Sequence, residues 1–284
     1  MSERTEAAKR AADQYAEKRL AGLLRESGFS RYHDSPRRWH KVGNDVILSV
    51  QLVCYYGTDL ELYYGFQPIF YPFEFVDARM KLHDAVWTFF DAEQQYYQQV
   101  DSRRIPSLTR YDSIEKLVRD QKVSDYYPMI LKELVLPALH QITDVRSCHK
   151  YYEKYYWGLY REDPWALFDS RFAVECVALG ETETLRHYAE CALLPIINSN
   201  RTDKTIPLEL CGTQRADAEV LYRELRCTRF DTLSAFMEQS QMLNLSRIKR
   251  AKIPVCSLKG RLPAQSHSEE DEQAPVISIT EHRG

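Results

Sequence analysis

DVILSVQLVCYYG, residues 45–57, decides the fold. Side chains of a strand alternate between two faces, so Val46, Leu48, Val50, Leu52 and Cys54 fall on one side and Ile47, Ser49, Gln51, Val53 and Tyr55 on the other. The run LELYYGFQPIF, residues 60–70, repeats the pattern with Leu60, Leu62, Tyr64, Phe66 and Phe70 on one face. Gly57-Thr58-Asp59 between the runs supplies a short hairpin loop. Upstream, Gly43-Asn44-Asp45 turns the chain back onto RRWHKV, and residues 29–33 offer a further strand across the turn His33-Asp34-Ser35-Pro36. The pattern predicts an antiparallel meander of three or four strands with one face in the core.

The other face mixes Gln51, Tyr55, Tyr63, Gln67 and Tyr71 with Ile47, Val53 and Ile69. Tyrosine offers a large, stiff surface with a polar tip. This face is therefore either a recognition surface or the side on which helices pack, with the tyrosine hydroxyls reaching the edge.

N-terminal to the sheet, Ala8, Ala12, Tyr15, Leu20, Leu23 and Leu24 recur at helical spacing over residues 3–27, and Gly28 stands where a helix-ending glycine belongs. Residues 76–100 are expected to be helical, although VWTFF (86–90) also has strand character. Asp112-Ser113-Ile114-Glu115 has the spacing of a capping box. A longer helix is expected from Ser124, with Pro128 in its first turn, Ile130, Leu131, Leu134, Val135 and Leu139 inward, and an interruption at Pro137. Residues 144–158 read as a helix with Tyr152, Tyr155 and Tyr156 on its core stripe and Tyr151 and Tyr160 nearer the rim. Asp163-Pro164 opens a helix that ends at Gly180, and Thr182 restarts the pattern, so 164–180 and 182–198 predict an αα-hairpin. The last helical region, 213–244, turns Val220, Leu221, Leu225, Phe230, Leu233, Phe236 and Met237 to the core.

The fold class is α+β: residues 1–110 an N-terminal helix plus the antiparallel three- to four-stranded meander, 111–248 a mostly helical, bundle-like half, and 249–284 a disordered charged C-terminal tail. From Ser246 onward the helical pattern stops in a basic stretch (Arg247, Lys249, Arg250, Lys252, Lys259, Arg261), followed by the acidic run Glu269 to Glu272. Within it Val276, Ile277 and Ile279 form a short β-prone segment able to add to a sheet edge.

With 284 residues, 44% of them hydrophobic, the chain can bury a substantial core. A net charge of −3 gives no global attraction to nucleic acid or to an anionic membrane. The first twenty residues are charged throughout, without a signal peptide's apolar stretch, and no segment approaches the ~20 apolar residues of a membrane span. Seven scattered cysteines without a C-x-x-C indicate buried free thiols in a reducing compartment. A cytoplasmic location is expected.

Motifs for chemistry are missing. There is no phosphate-cradling G-x-x-x-x-G-K-[ST] or G-x-G-x-x-G, no G-x-S-x-G elbow, no H-E-x-x-H and no deaminase signature. His187 and Cys191 are four apart on one helix, but two ligands make no zinc site. Cys148 and His149 are adjacent on a helix and so point about 100° apart. No catalytic residue, metal ligand or cofactor is assigned. Arg37, Arg38, His40 and Lys41 around Trp39 form a basic-aromatic cluster that could meet a phosphate or carboxylate, or simply guard a sheet edge.

The order helix, Gly28-Phe29, Trp39, the Gln51-bearing strand from Val46 to Val53, then Tyr64-Gly65-Phe66 resembles an uncharacterised family of bacterial domains of unknown function over residues 10–75. That family has no established activity or cofactor to carry over, and the resemblance implies an interaction or immunity-type protein. The expected function is a non-enzymatic, cytoplasmic protein-binding module, with Trp39, Gln51, Tyr55, Tyr63 and Gln67 as candidate partner contacts and Val276, Ile277 and Ile279 as a tail contact. One alternative is an enzyme acting on a small molecule in a sheet-helix cleft through His33, Asp34, His40, His83 or Asp84. Another is a weak nucleic-acid binder through residues 247–252.

Overall fold

Asn44 and Asp45, with φ of 51° and 64°, close a two-residue hairpin. Positive φ at both central positions gives the turn whose twist matches that of the strands it joins. It links β2 (Arg38–Gly43) to β3 (Val46–Tyr55), with Gly43 opposite Val46 and Trp39 opposite Val50. β4 (Asp59–Pro68) lies on the other side of β3, pairing Leu48 with Phe66 and Leu52 with Leu62. Short β1 (Ser30–Arg31) and β5 (Phe89–Asp91) complete an antiparallel sheet of order β1-β2-β3-β4-β5. β5 lies inside the segment expected to be helical. Phe89 and Phe90, aromatic and β-prone, pair with Gly65 and Tyr64 instead.

The computed structural model describes residues 3–32, 36–55, 59–71, 89–91, 113–155, 170–200, 202, 204–210, 214–227 and 229–255. The rest of the 76–100 helix, the loop at Gly57-Thr58, the start of the αα-hairpin, and the tail with Val276, Ile277 and Ile279 lie outside the described residues.

The N-terminal helical pattern forms α1 (Glu3–Tyr15), a π turn (Ala16–Leu20) and α2 (Ala21–Glu26). Gly28, at φ 83°, ends it: Gly28 N–H donates to Arg25 O and Phe29 N–H to Leu24 O, which satisfies carbonyls of the last turn. A Cβ at Gly28 would meet only the flexible end of Lys41, at 3.4 Å, so the backbone conformation sets the penalty. Gly28→Ala is expected to lower the unfolding free energy by about 1–2 kcal/mol in urea titration.

One face of the sheet, Val46, Leu48, Val50 and Leu52 with Leu60, Leu62, Tyr64 and Phe66, packs into a first core with the N-terminal helices. The same core takes in α3 (Ile114–Arg119), α4 (Gln121–Ile130) and α5 (Leu136–His140). Tyr151 of α6 (Val145–Tyr155) also enters it, its ring edge-on to Phe66 at 4.9 Å and its hydroxyl 3.1 Å from that of Tyr64. The rim position expected for Tyr151 is corrected: the α6 stripe facing the sheet runs through Cys148 and Tyr151, one turn apart.

The opposite face grades along the strands. Val42, Ile47 and Ile69 enter a second core with α7 (Ser170–Leu179), α8 (Thr182–Tyr188) and α9 (Leu194–Ile197) and with α10 (Ala218–Arg226) and α11 (Asp231–Arg250). Phe70 belongs to this second core rather than the first, because the chain turns after Pro68 and leaves the strand alternation. The sheet is thus a middle layer between two helical layers.

Prolines shape the helical half. Pro128 sits inside α4, which begins at Gln121, earlier than Ser124. Pro128 has no N–H to give the Ser124 carbonyl, and that oxygen accepts instead from Tyr15 Oη at 2.9 Å and Arg19 Nε at 3.2 Å. Pro137 and Pro195 each follow a π turn, Leu131–Val135 and Ala189–Leu193, which absorbs the break in the ladder. The α3 cap is Ser113, whose Oγ accepts from Lys116 N–H, one residue later than the Asp112-to-Glu115 spacing had placed it.

Beyond α9, β6 (Thr205–Leu210) and β7 (Gln214–Asp217) pair in a second, two-stranded sheet that sequence reasoning passed over. The single helical region expected at 213–244 is two helices, α10 and α11, and Val220 is 42% exposed rather than inward. α11 continues past Ser246 to Arg250, Ile248 and Ile253 lie in the second core, and Val255 bridges Val42. Buried Asn244 fastens this helix by donating to Ile69 O at 2.6 Å. Among the described residues no helix is long and apolar enough to cross a membrane.

Candidate functional site

The sequence-picked residues do not share one surface. Trp39 is fully buried on the first face, and Gln67 is fully buried on the second. Gln51 and Tyr63 face each other across β3 and β4 on the half-exposed end of the second face, with Arg38 opposite Gln51 on β2. Tyr63 Oη donates to Glu61 on its own strand. Tyr55 closes β3 opposite Asp59.

Three members of the basic cluster around Trp39 are taken up internally. Arg37 pairs with Asp13 of α1 at 2.8 Å, Lys41 Nζ donates to Ser27 O at 3.1 Å and lies over the Phe29 ring, and buried His40 meets Ser49 Oγ and the edge of Tyr32. His40 is the one described member of the acid-base set, since His33, Asp34, His83 and Asp84 lie outside the described residues. The 247–252 stretch begins as the last turn of α11 and not as an arm: Arg247 is buried and donates to Asn244 Oδ1 at 3.3 Å, while Lys249, Arg250 and Lys252 are exposed.

Two other places carry chemistry. The first is a groove of about 470 Å³ between α1 with its π turn and α3 with the start of α4. Ala7, Ala11, Tyr15 and Val118 supply apolar surface, and Arg10, Lys18, Arg19 and Arg119 supply charge against the single carboxylate of Glu115. Arg19 is paired with Asp125. Among the described residues, Arg10, Lys18 and Arg119 have no ion-pair partner. Burial raises the Tyr15 phenol well above its ordinary range, with the Arg19 charge acting the other way, so it stays a neutral donor to Ser124 O.

The second is a buried cluster where α6 crosses α7 and the start of α8. His149 Nδ1 donates to the fully buried carboxylate of Glu175 at 3.0 Å, and this bond sets the tautomer that turns Nε2 toward Glu181 Oε2, 3.6 Å away. Gly180, at φ 70°, reverses the chain so that Glu181 N–H donates to Cys176 O, which folds Glu181 back over the last turn of α7. Arg146 Nη1 holds the other carboxylate oxygen of Glu181 at 3.2 Å. The ligating atoms of His149, Cys176 and Glu181 all lie within 4.8 Å of one another. Adjacent Cys148 lies in the first core, where burial and then the Glu175 charge push its thiol up. Exposed His187 and Cys191 lie 3.6 Å apart (Nε2 to Sγ) on the surface of α8 and its π turn.

Neither place was picked from the chain as read. The available signals were Arg10, Lys18 and Arg19 on the N-terminal helical stretch with Arg119 on α3, and the helix-ending Gly180 beside Glu181; the Cys148-His149 pair drew notice only as neighbours. Comparison with known proteins finds no family model, no curated protein and no solved structure that matches the chain.

Proposed function

We propose that the chain is a non-enzymatic protein-binding module acting in the cytoplasm, and that the groove between α1 and α3 receives an acidic segment of a partner protein. The observation behind this reading is that Arg10, Lys18 and Arg119 line an apolar-floored groove without internal ion-pair partners among the described residues. Unpaired cations around apolar surface attract a segment that presents carboxylates beside aliphatic side chains. Cys148 and Cys191, both outside any disulfide, suit a reducing compartment.

The test is fluorescence anisotropy of a labelled amphipathic Glu/Leu peptide with the full chain. Affinity is expected to fall at least about tenfold in the double reversal Arg10→Glu, Arg119→Glu, and to weaken with added salt. The pair Gln51→Ala, Tyr63→Ala is the comparison arm. Loss of binding there, with the reversal silent, moves the site to the half-exposed row of the sheet. Tighter binding after removal of residues 263–284 assigns the groove to the chain's own acidic run at Glu269 to Glu272. Absence of binding to the unaltered chain ends the reading.

A further inference from the structure

We propose that His149, Cys176 and Glu181 form a zinc site that joins α6, α7 and the start of α8. The cluster supplies one nitrogen, one sulfur and one oxygen, with ligating atoms within 4.8 Å of one another, and this mixed set suits a borderline ion such as Zn²⁺ better than the hard cations that take oxygen alone. The spacing fits as well. Two ligands about 2.0 Å from a tetrahedral ion sit about 3.3 Å apart, and His149 Nε2 to Glu181 Oε2 is 3.6 Å, too long for a direct hydrogen bond.

The surroundings are those of a built site. A metal-bound imidazole characteristically donates its other N–H to a carboxylate, which fixes the tautomer and raises the basicity of the ligating nitrogen. Buried Glu175 does this for His149 at Nδ1. Arg146, at 3.2 Å from Glu181 Oε1, leaves Oε2 as the oxygen directed inward. His149 and Cys176 are buried while the Glu181 side chain is 30% exposed, so the ion enters from the Glu181 side and takes solvent as its fourth ligand there. The thiol of Cys176 gives up its proton on binding, to the buffer, and its sulfur bonds the ion as thiolate.

The site shares no residue with the groove, and its test is independent of the partner. Co²⁺ is titrated into the metal-free full chain and read by absorption, then displaced with Zn²⁺. One Co²⁺ per chain is expected, with a thiolate-to-metal charge-transfer band and the intense visible bands of a four-coordinate ion. Cys176→Ser is expected to remove the charge-transfer band, and Glu175→Gln to weaken affinity about 10–100-fold. Cys191→Ser, at the exposed pair on the helix surface, is expected to change nothing. Glu181→Ala, on the solvent side, guards against a variant that fails to fold and is expected to weaken binding at least about tenfold. The proposal is overturned if no Co²⁺ binds stoichiometrically, if the band follows Cys191 rather than Cys176, or if Glu181→Ala binds as tightly as the unaltered chain.

Discussion

Trp39→Ala is expected to lower the unfolding free energy by about 3–5 kcal/mol, the range for deleting a large aromatic side chain from a packed core. Trp39 is fully buried in the first core, on β2 opposite Val50. Its indole nitrogen is buried and makes no hydrogen bond among the described residues, so the side chain contributes through packing and carries an unsatisfied donor. Trp39→Phe removes that donor while keeping a ring, and is expected to cost less than half as much as the alanine change, since deleting an unpaired polar group returns part of its burial cost. Urea unfolding would show both as shifts of midpoint at unchanged slope. A stable Trp39→Ala protein that had lost its partner would instead make Trp39 the binding residue its place in the sequence first implied.

His149→Ala, measured with chelator present so that no metal contributes, is expected to cost about 3–5 kcal/mol, because it takes the imidazole partner away from a fully buried carboxylate. Glu175 is 0% exposed and accepts a hydrogen bond from His149 Nδ1 at 3.0 Å. Replacing both partners, His149→Leu with Glu175→Leu, is expected to recover most of the loss, since an apolar pair of similar volume needs no counter-charge. A double variant no more stable than His149→Ala would mean that the cost lay in packing. Added Zn²⁺ should raise the midpoint of the unaltered chain and not that of His149→Ala, as binding to the folded state alone requires. The two measurements separate the role of the pair from that of the metal.

Local pattern was a good guide wherever a segment's conformation depends on its own residues. The alternation of β3 and β4 placed the core face correctly from Val46 to Phe66, and Gly43-Asn44-Asp45 marked the hairpin. It failed where two local signals competed. Phe89 to Asp91 is a strand inside a stretch whose polar residues favour helix, and pairing with Tyr63 to Gly65 decided it. Ile206, Leu208 and Leu210 alternate in β6, yet Pro207 demotes such a run on sequence grounds. At the C-terminus the basic residues masked an inward stripe, and Ile248 and Ile253 keep the chain on the body well past Ser246.

The sequence by itself determined the meander, its turns, the helix ends at Gly28 and Gly180 and the α+β class, because strand period and positive-φ positions are properties of neighbouring residues. Only the tertiary structure decided that Trp39 and Gln51 face opposite layers of the molecule, that the Ser124 carbonyl freed by Pro128 is held by Tyr15 across 109 positions, and that His149 meets Glu175, Cys176 and Glu181. Those meetings depend on how helices cross, and a crossing is set by the complementary shapes of surfaces far apart in the chain, which no local pattern records.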